Sequence, residues 1–253
     1  HHRSSAASDV YKRQVNESET ATRMGLKGIP SYAEPMIVER DLWLVKETNC
    51  RYHVNHISTK ETVEIIRKAK KLGLPVTCDT SPPYFTLNEL SLEDYRTFSK
   101  LNPPLRSEED RLSIIEGICD GTIDAISSDH TPQDQDAKRL PFNQAEFGGV
   151  GLETLLSLSL NLVKNKYISV EKLLRLLTVN PAKILNLDYG MINEQSEADI
   201  SVFDLSKSWK INPESFFGKS KNSPFDGLLV EGKNIMTFVT VSYTHLTLPT
   251  TYG

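Results

Sequence analysis

The stretch "TIDAISSDHTP" (122–132) decides the fold that we predict for this chain. Its first seven residues (122–128) have the composition of a short buried strand, and Asp129 follows directly after them. In parallel α/β folds, functional side chains collect where strands end. We therefore expect Asp129 to lie on a rim that carries chemistry.

The sequence on the amino-terminal side repeats the same strand pattern twice. "RYHVNHI" (51–57) and "LPVTCDT" (74–80) are strand-like, and each is followed by a segment with helical periodicity. Ser58 and Ser107 have an acidic residue three positions later, which is the spacing of a helix capping box. Alternating strands and helices predict a parallel sheet with right-handed crossovers, which is an α/β fold.

Beyond Leu187 the pattern changes to strands separated by turns. "ADISVFDL" (198–205) and "GLLVEGKNIMTFVTV" (227–241) predict short strands of a small β domain. The end segments, 1–14 and 242–253, resemble translated adapter sequence, and we predict that both are non-native tails of a truncated gene. The predicted domains are then an α/β body over 15–186 and part of a β domain over 187–241.

Composition excludes several classes of protein. Apolar residues make up 38% and charged residues 25% of the 253 residues, as in globular proteins. The net charge of −4 gives no basic patch, so we expect no nucleic-acid partner, and no apolar run is long enough to span a membrane. The odd number of cysteines, Cys50, Cys78 and Cys119, predicts buried thiols in a cytoplasmic protein.

Two strand ends supply the candidate metal ligands. His56 follows the strand at 51–57 and Asp129 follows the strand at 122–128, and an imidazole with a carboxylate on one rim suits a divalent metal such as zinc. The alternative is that His56 is a structural, hydrogen-bonded histidine. His53 should face the opposite side because side chains alternate along a strand. His130 and Asp124 are more typical of a loop histidine and a solvated carboxylate.

Two further segments could contact a substrate. Pro103 and Pro104 restrict the backbone beside Asn102, whose amide could bind a polar group, although a simple proline turn is an equal alternative. The segment 129–150 is long for a loop and ends in "FGGVG", which is typical of a lid or binding loop in which the backbone near Phe147 and Gly148 approaches a ligand. The alternative is a disordered surface segment.

These stretches occur together in one family. The motifs "HVNHISTKE" (53–61), "KLNPPLRSEEDR" (100–111), "GTIDAISSDHTP" (121–132), "FGGVGLET" (147–154) and "LLTVNPAKILNL" (176–187) resemble those of bacterial class I dihydroorotases of the amidohydrolase superfamily. The resemblance covers about residues 20–240. It implies the C-terminal part of a (β/α)₈ TIM-type barrel, with about its last three strands, and part of a small β domain.

The resemblance also implies roles for individual residues. His56 would bind one ion of a binuclear zinc centre, and Asp129 would bind the other and act as general acid and base. Asn102 and the Phe147–Gly148 backbone would contact the substrate. Gln133 stands where the family has a substrate-contacting histidine, and "SPPY" (81–84) replaces a "TPHH"-like stretch. The implied reaction is the reversible cyclisation of N-carbamoyl-L-aspartate to L-dihydroorotate in pyrimidine synthesis.

The resemblance leaves the family's other metal ligands without counterparts in this sequence. We therefore expect the 253-residue chain alone to be an inactive, aggregation-prone fragment of the enzyme. Two other interpretations stay open. The protein could be another cyclic amidohydrolase, such as an allantoinase or dihydropyrimidinase, or a non-catalytic dihydroorotase-like partner of aspartate transcarbamoylase. A homodimer is also compatible with the resemblance.

Overall fold

The computed structural model describes residues 13–194 and 198–241, and the predicted tails, except for Arg13 and Gln14, lie outside these residues. The strands are β1 (Val15–Asn16), β2 (Gly28–Ile29), β3 (Tyr52–Val54), β4 (Val76–Thr80), β5 (Ala125–Ile126), β6 (Ala198–Lys210) and β7 (Leu229–Val241). The α-helices are α1 (Glu19–Arg23), α2 (Ala33–Thr48), α3 (Lys60–Lys71), α4 (Pro82–Thr86), α5 (Glu108–Asp120), α6 (Gln135–Arg139), α7 (Leu155–Lys164), α8 (Val170–Leu177) and α9 (Val179–Ile184). Short 3₁₀ segments cover Glu89–Tyr95, Thr97–Ser99, Leu152–Thr154 and Pro213–Ser215.

A three-stranded parallel sheet forms the centre of the α/β body, which confirms the predicted fold class. Its order is β3–β4–β5, with Tyr52 opposite Val76 and Asp79 opposite Ala125. The helices that connect the strands bury one contiguous core against the sheet, in which Ile66 is fully buried. Burial of each large aliphatic side chain in such a core contributes about 1.5–3 kcal/mol to stability. The core therefore holds the three strand ends at one edge.

The helix starts follow local sequence signals, with one exception. Ser107 and Asp110 form the predicted capping box of α5, and Ser169 caps α8. The prediction for α3 is wrong by one residue, because the side chain of Thr59, and not that of Ser58, accepts from a first-turn amide. Ser58 instead bonds Glu34 through both its backbone amide and its hydroxyl. Because Ser58 is bound by Glu34, which is distant in sequence, it does not cap α3.

Arg106 joins three separate segments beneath the rim. Its guanidinium is 4% exposed and donates to Ser58 Oγ at 3.1 Å and to Asn16 Oδ1 at 3.0 Å. Glu34 Oε2 lies 3.8 Å from the same guanidinium. A buried arginine needs such partners because an uncompensated buried charge is strongly destabilising.

The carboxyl-terminal strands form an antiparallel hairpin. Each strand has 13 residues, so the prediction of short strands is wrong. Register shifts interrupt the pairing, including one between Asp204 and Ser208, and such bulges weaken the alternating pattern in the sequence. Gly232 has φ +90° and an added Cβ would come within 2.1 Å of Leu160 Cδ1 on α7. The glycine therefore lets the hairpin pack directly against the helix.

Other predictions made from composition have mixed outcomes. Cys78 is buried as expected, but Cys50 is exposed beyond the end of α2 and Cys119 is partly exposed, so the prediction of three buried thiols is wrong. None of the helices in 13–194 and 198–241 combines the length and apolarity needed to cross a membrane. At the amino-terminal boundary, Arg13 donates to Gly28 O at 2.7 Å and Gln14 is 8% exposed.

Candidate functional site

His56 lies just beyond the end of β3 in a left-handed conformation, with φ +55°. The carboxylate of Asp79 holds it at two points. The His56 backbone amide donates to Asp79 Oδ1 at 2.8 Å, and the ring atom Nδ1 lies 3.1 Å from the same oxygen. A ring that donates from Nδ1 leaves the lone pair of Nε2 free, and Nε2 lies 3.6 Å from Asp129 Oδ1.

Asp79 is a site residue that we did not select from the sequence. It is the penultimate residue of β4, so the strand-end argument that selected Asp129 applies to it as well. Ser127 Oγ donates to its Oδ1 at 2.9 Å. Burial disfavours its charge, but the hydrogen bonds from His53 and His56 outweigh burial and hold the pKa of Asp79 well below its usual range. Asp79 is therefore an anion that orients histidines.

The predicted orientation of His53 is wrong. His53 Nε2 lies 3.1 Å from Asp79 Oδ2, on the same carboxylate that contacts His56. Strand alternation does not extend to His56, because β3 ends at Val54 and the left-handed residue redirects the chain. For His56 itself, burial favours the neutral ring, but the hydrogen bond that the ring donates to Asp79 and the charges of Asp129 and Asp79 raise its pKa.

Asp129 also has a left-handed backbone, with φ +45°, and its side chain is 14% exposed. Burial raises its pKa, which the charge of His56 partly opposes. Thr131 Oγ1 lies 3.4 Å from Oδ1, and the hydroxyl of Tyr84 lies 3.5 Å from Oδ2. Such strained backbone positions are common at functional sites, where the surrounding contacts maintain them.

Tyr84 connects the two sides of the site and was also not selected from the sequence. Its ring is 3% exposed, and its hydroxyl donates to Pro103 O at 2.9 Å. Burial raises its pKa well above the usual value, so the hydroxyl stays protonated. Asn102, next to Pro103, is exposed. Tyr84 therefore couples the Asp129 carboxylate to the segment that carries Asn102.

The loop 129–150 is ordered and folds back on itself. Gln133 Nε2 donates to Phe147 O at 2.8 Å, and the Gly148 amide donates to Lys100 O at 3.0 Å. The ammonium of Lys100 lies 4.7 Å from the centre of the Phe147 ring. The loop thus brings Gln133, Phe147 and Gly148 together, while the Gly148 N–H is engaged inside the protein.

His130 and Asp124, for which the sequence favoured a loop histidine and a solvated carboxylate, both make hydrogen bonds within the protein. His130 Nδ1 accepts from the Gly151 amide at 3.2 Å. Asp124 is not free in solvent, because Lys70 Nζ donates to it at 2.6 Å and the Cys78 amide at 2.8 Å. Both side chains hold loops and strands in place.

The His56–Asp129 pair provides donors of the kind that zinc prefers. A neutral imidazole nitrogen and a carboxylate oxygen 3.6 Å apart can serve as ligands of one ion or of neighbouring ions. Asp79 supplies the carboxylate–histidine arrangement that commonly orients metal-binding histidines. Within residues 13–194 and 198–241, no set of three or more histidine, cysteine or acidic side chains is placed to hold a metal ion. The pair can therefore supply part of a coordination shell.

Comparisons with known proteins identify the family. Residues 15–239 match the model of the amidohydrolase family. A dihydroorotase from Desulforapulum autotrophicum is 46% identical over 225 residues, which are 89% of this chain and 53% of that protein. A dihydroorotase from Anaplasma phagocytophilum is 47% identical over 226 residues, 89% of this chain and 51% of that protein. The chain thus spans about half the length of the curated relatives it matches.

Solved structures give the same result for the fold. An L-hydantoinase (dihydropyrimidinase) from Arthrobacter aurescens has a TM-score of 0.79 and 32% identity, and covers 84% of this chain and 49% of that chain. A dihydropyrimidinase from Brevibacillus agri has a TM-score of 0.78 and 25% identity, and the match covers 83% of this chain and 48% of that chain. The resemblance found in the sequence motifs is confirmed, and the chain belongs to the amidohydrolase family.

Proposed function

We propose that the protein to which this chain belongs is a zinc-dependent dihydroorotase. It would interconvert N-carbamoyl-L-aspartate and L-dihydroorotate in pyrimidine synthesis. The observation that carries the proposal is the convergence of His56 Nε2 and Asp129 Oδ1 at 3.6 Å on one rim of the parallel sheet. The identity of 46–47% to two dihydroorotases supports this substrate over those of other family members.

The fold proposal is that β3, β4 and β5 are the last three strands of a (β/α)₈ barrel. Their parallel order and the placement of site residues where they end support this assignment. Residues 15–186 would form the barrel portion, and 187–241 would belong to the small β domain. The remaining ligands of a binuclear zinc centre would come from the other barrel strands.

In the proposed reaction Asp129 carries the proton. Zinc, when bound through His56 and Asp129, supplies a Lewis acid that polarises the carbonyl group of the ring. Asp129 removes a proton from the attacking water and delivers it to the departing ring nitrogen. Burial raises the pKa of Asp129, so its protonated form, which donates to the ring nitrogen, forms more readily than that of a solvated carboxylate. Asp79 holds the His56 ring so that Nε2 stays directed to the rim.

The substrate would lie between Asn102 and the loop 129–150. The exposed amide of Asn102 provides a donor and an acceptor for polar groups of the ring. Gln133 and the backbone of Phe147 and Gly148 would line the opposite side. Since Gln133 is uncharged and already donates to Phe147 O, it would act by shaping the loop and by hydrogen bonding.

The test is a turnover assay of this chain alone and of a fusion. In the fusion, the Desulforapulum relative supplies the part of its length that this chain does not cover. We expect the fusion to interconvert the two dihydroorotase substrates in a zinc-dependent manner, and the chain alone to show no turnover. A folded, zinc-loaded fusion with no turnover of either compound would contradict the proposal.

A second candidate activity is hydrolysis of hydantoin or dihydrouracil, which the similarity to the Arthrobacter L-hydantoinase favours. The same fusion distinguishes the candidates when it is offered dihydroorotate, hydantoin, dihydrouracil and allantoin in parallel. Faster turnover of a ring without the carboxylate would favour the second candidate. Gel filtration of the fusion with and without aspartate transcarbamoylase would test whether it forms a homodimer or a complex with that enzyme.

A further inference from the structure

Lys138 is a buried residue of the loop 129–150 whose side chain makes its shorter hydrogen bonds to carbonyl oxygens of that loop. It lies in the five-residue helix α6 and is 1% exposed. Its Nζ donates to the carbonyl oxygens of Glu146 at 2.8 Å, Gly148 at 3.0 Å and Lys100 at 3.4 Å. An ammonium group has three N–H donors and loses its hydration on burial, so these carbonyls replace water. The loop therefore closes around this side chain.

Asn222 fastens the same loop from the carboxyl-terminal part of the chain. It is 3% exposed, and its Nδ2 donates to Gly148 O at 3.1 Å and to Thr131 O at 3.2 Å. Its Oδ1 accepts from the Gln133 amide at 3.2 Å. The carbonyl of Gly148 thus receives hydrogen bonds from both Lys138 and Asn222, so its position is set from two directions.

The position of Gly148 is coupled to that of Asp129. The Thr131 amide donates to Gly149 O at 2.8 Å. Gly148 has φ +121°, and a Cβ added there would come within 2.6 Å of Thr131 Cγ2. Segments 129–131 and 148–149 are therefore in direct contact, and a displacement of Gly148 displaces the residues that follow Asp129.

We propose that Lys138 and Asn222 are positioning residues that set the Phe147–Gly148 backbone and, through Thr131, the placement of Asp129. The effect on substrate rests on the proposed function. The effect on the loop does not, because it concerns contacts within the chain without a ligand. Neither residue touches the reacting atoms, and both act through the loop.

The charges around Lys138 give the closed loop a characteristic pH dependence. Burial and the nearby Lys100 ammonium lower the pKa of Lys138 to about 8, against the opposing charge of Glu146. Glu214, Lys221 and Asp226 line the neighbouring cavity of about 110 Å³ together with Lys138. In an open loop the solvated amine would regain its ordinary pKa of about 10.5.

The sign of the pH effect follows from these two values. Between pH 8 and 10.5 the open loop binds more protons than the closed loop, so loop closure becomes more favourable as the pH rises. From pH 7 to pH 9 the closure equilibrium should strengthen about tenfold. The neutral amine keeps two donors, enough for the two short bonds to Glu146 and Gly148.

Amide hydrogen exchange of this chain without ligand tests the proposal. The reporters are three amides of the loop: those of Thr131 and Glu146, which donate to other loop carbonyls, and that of Gly148, which donates to Lys100 O. After correction for intrinsic exchange, their protection should rise about tenfold from pH 7 to pH 9 in the unsubstituted chain. In Lys138→Met the same amides should exchange at least about tenfold faster, because buried carbonyls lose their donors, and the pH step should vanish.

A matched control removes a different lysine-to-carbonyl bond. Lys172 Nζ donates to Cys119 O at 2.7 Å, away from the loop, so Lys172→Met should leave the reporters and their pH step unchanged. If Lys138→Met does not fold, Asn222→Ala tests the second anchor. This substitution should accelerate exchange of the same reporter amides. Unchanged reporter protection in a folded Lys138→Met or Asn222→Ala chain would overturn the proposal.

A kinetic measurement on the fusion separates this proposal from the proposed function. Lys138→Met should raise KM for dihydroorotate and lower kcat, whereas Lys172→Met should change neither. Loosened reporters in a fusion lacking dihydroorotase turnover would overturn the function and support the positioning. Undisturbed reporters would overturn the positioning whatever the turnover.

Discussion

The two faces of the central sheet each carry a carboxylate with a different role. Asp79 is buried, whereas the side chain of Asp124 is 24% exposed. Asp79 lies opposite Ala125 in the sheet, and since side chains alternate, the preceding residue Asp124 leaves on the other face. Asp124 is neutralised by Lys70 from α3 and by the Cys78 amide. Asp79 instead binds two imidazoles. The lysine forms an ion pair with its carboxylate, whereas an imidazole that binds a carboxylate through one ring nitrogen keeps the other nitrogen available to bind a metal ion or a proton.

The largest expected effect is on kcat, when substitution of Asp129 is compared with substitution of Asp124. Asp129→Asn in the fusion should lower kcat by about 100- to 10,000-fold, because the amide cannot carry the proton. Asp124→Asn should leave kcat within about threefold. Steady-state turnover of dihydroorotate measures both. Equal losses in the two variants would mean that the face with the histidines has no special role.

The next effect separates Asp79 from Asp124 through zinc. Asp79→Asn weakens the hold on His56 Nδ1, so zinc affinity of the fusion should fall about 10- to 100-fold. Competition with a chromogenic chelator measures this change. Asp124→Asn is the matched variant and should retain the original affinity, and a loss of affinity there would remove the distinction.

Asp124, whose substitution should hardly change turnover, should contribute measurably to the free energy of unfolding. Asp124→Ala removes the acceptor of the Cys78 amide and leaves the Lys70 ammonium with Thr122 O alone, which should cost about 1–3 kcal/mol of unfolding free energy. Urea denaturation of the 253-residue chain reports the loss. Lys60→Ala is the control, since Lys60 and its partner Glu109 are both exposed and solvent screens the pair, so its loss should change the unfolding free energy far less. Similar losses in both variants would contradict the assignment of Asp124 as a structural anchor.

The smallest expected effect belongs to Tyr84. Tyr84→Phe removes one hydroxyl between Asp129 and Pro103 without changing the ring, so KM should rise about two- to tenfold, equivalent to one neutral hydrogen bond. Tyr32→Phe, at an exposed tyrosine, is the control. A lower kcat at unchanged KM would show that Tyr84 acts on Asp129 and not on the Asn102 segment.

Local signals in the sequence were sufficient for much of the fold. The Ser107–Asp110 capping box and the strand-like stretch before Asp129 depend on neighbouring residues, and both predictions are confirmed. The convergence of His56 with Asp129 followed from the geometry of parallel strands. The roles assigned to Asn102, Gln133, Phe147 and Gly148 came from family resemblance and stay predictions.

What sequence could not supply depends on distant contacts. Ser58 lost its capping role to Glu34, 24 positions away. The position of His53 depended on where β3 ends, and the length of the hairpin was hidden by its bulges. Lys138 is of a residue type that is usually exposed, and only the folded loop supplies the carbonyl oxygens that allow its burial.

Arg106 has a consequence for the cooperativity of unfolding. It connects Asn16 near the start of the described chain, Ser58 at the start of α3 and its own loop beside Asn102. Detaching any one of these segments would strand a desolvated guanidinium, a penalty of several kcal/mol. We therefore expect the segments that carry Asn16, Ser58 and Arg106 to unfold together, so that proteolytic cleavage in one of them would require the other two to open as well.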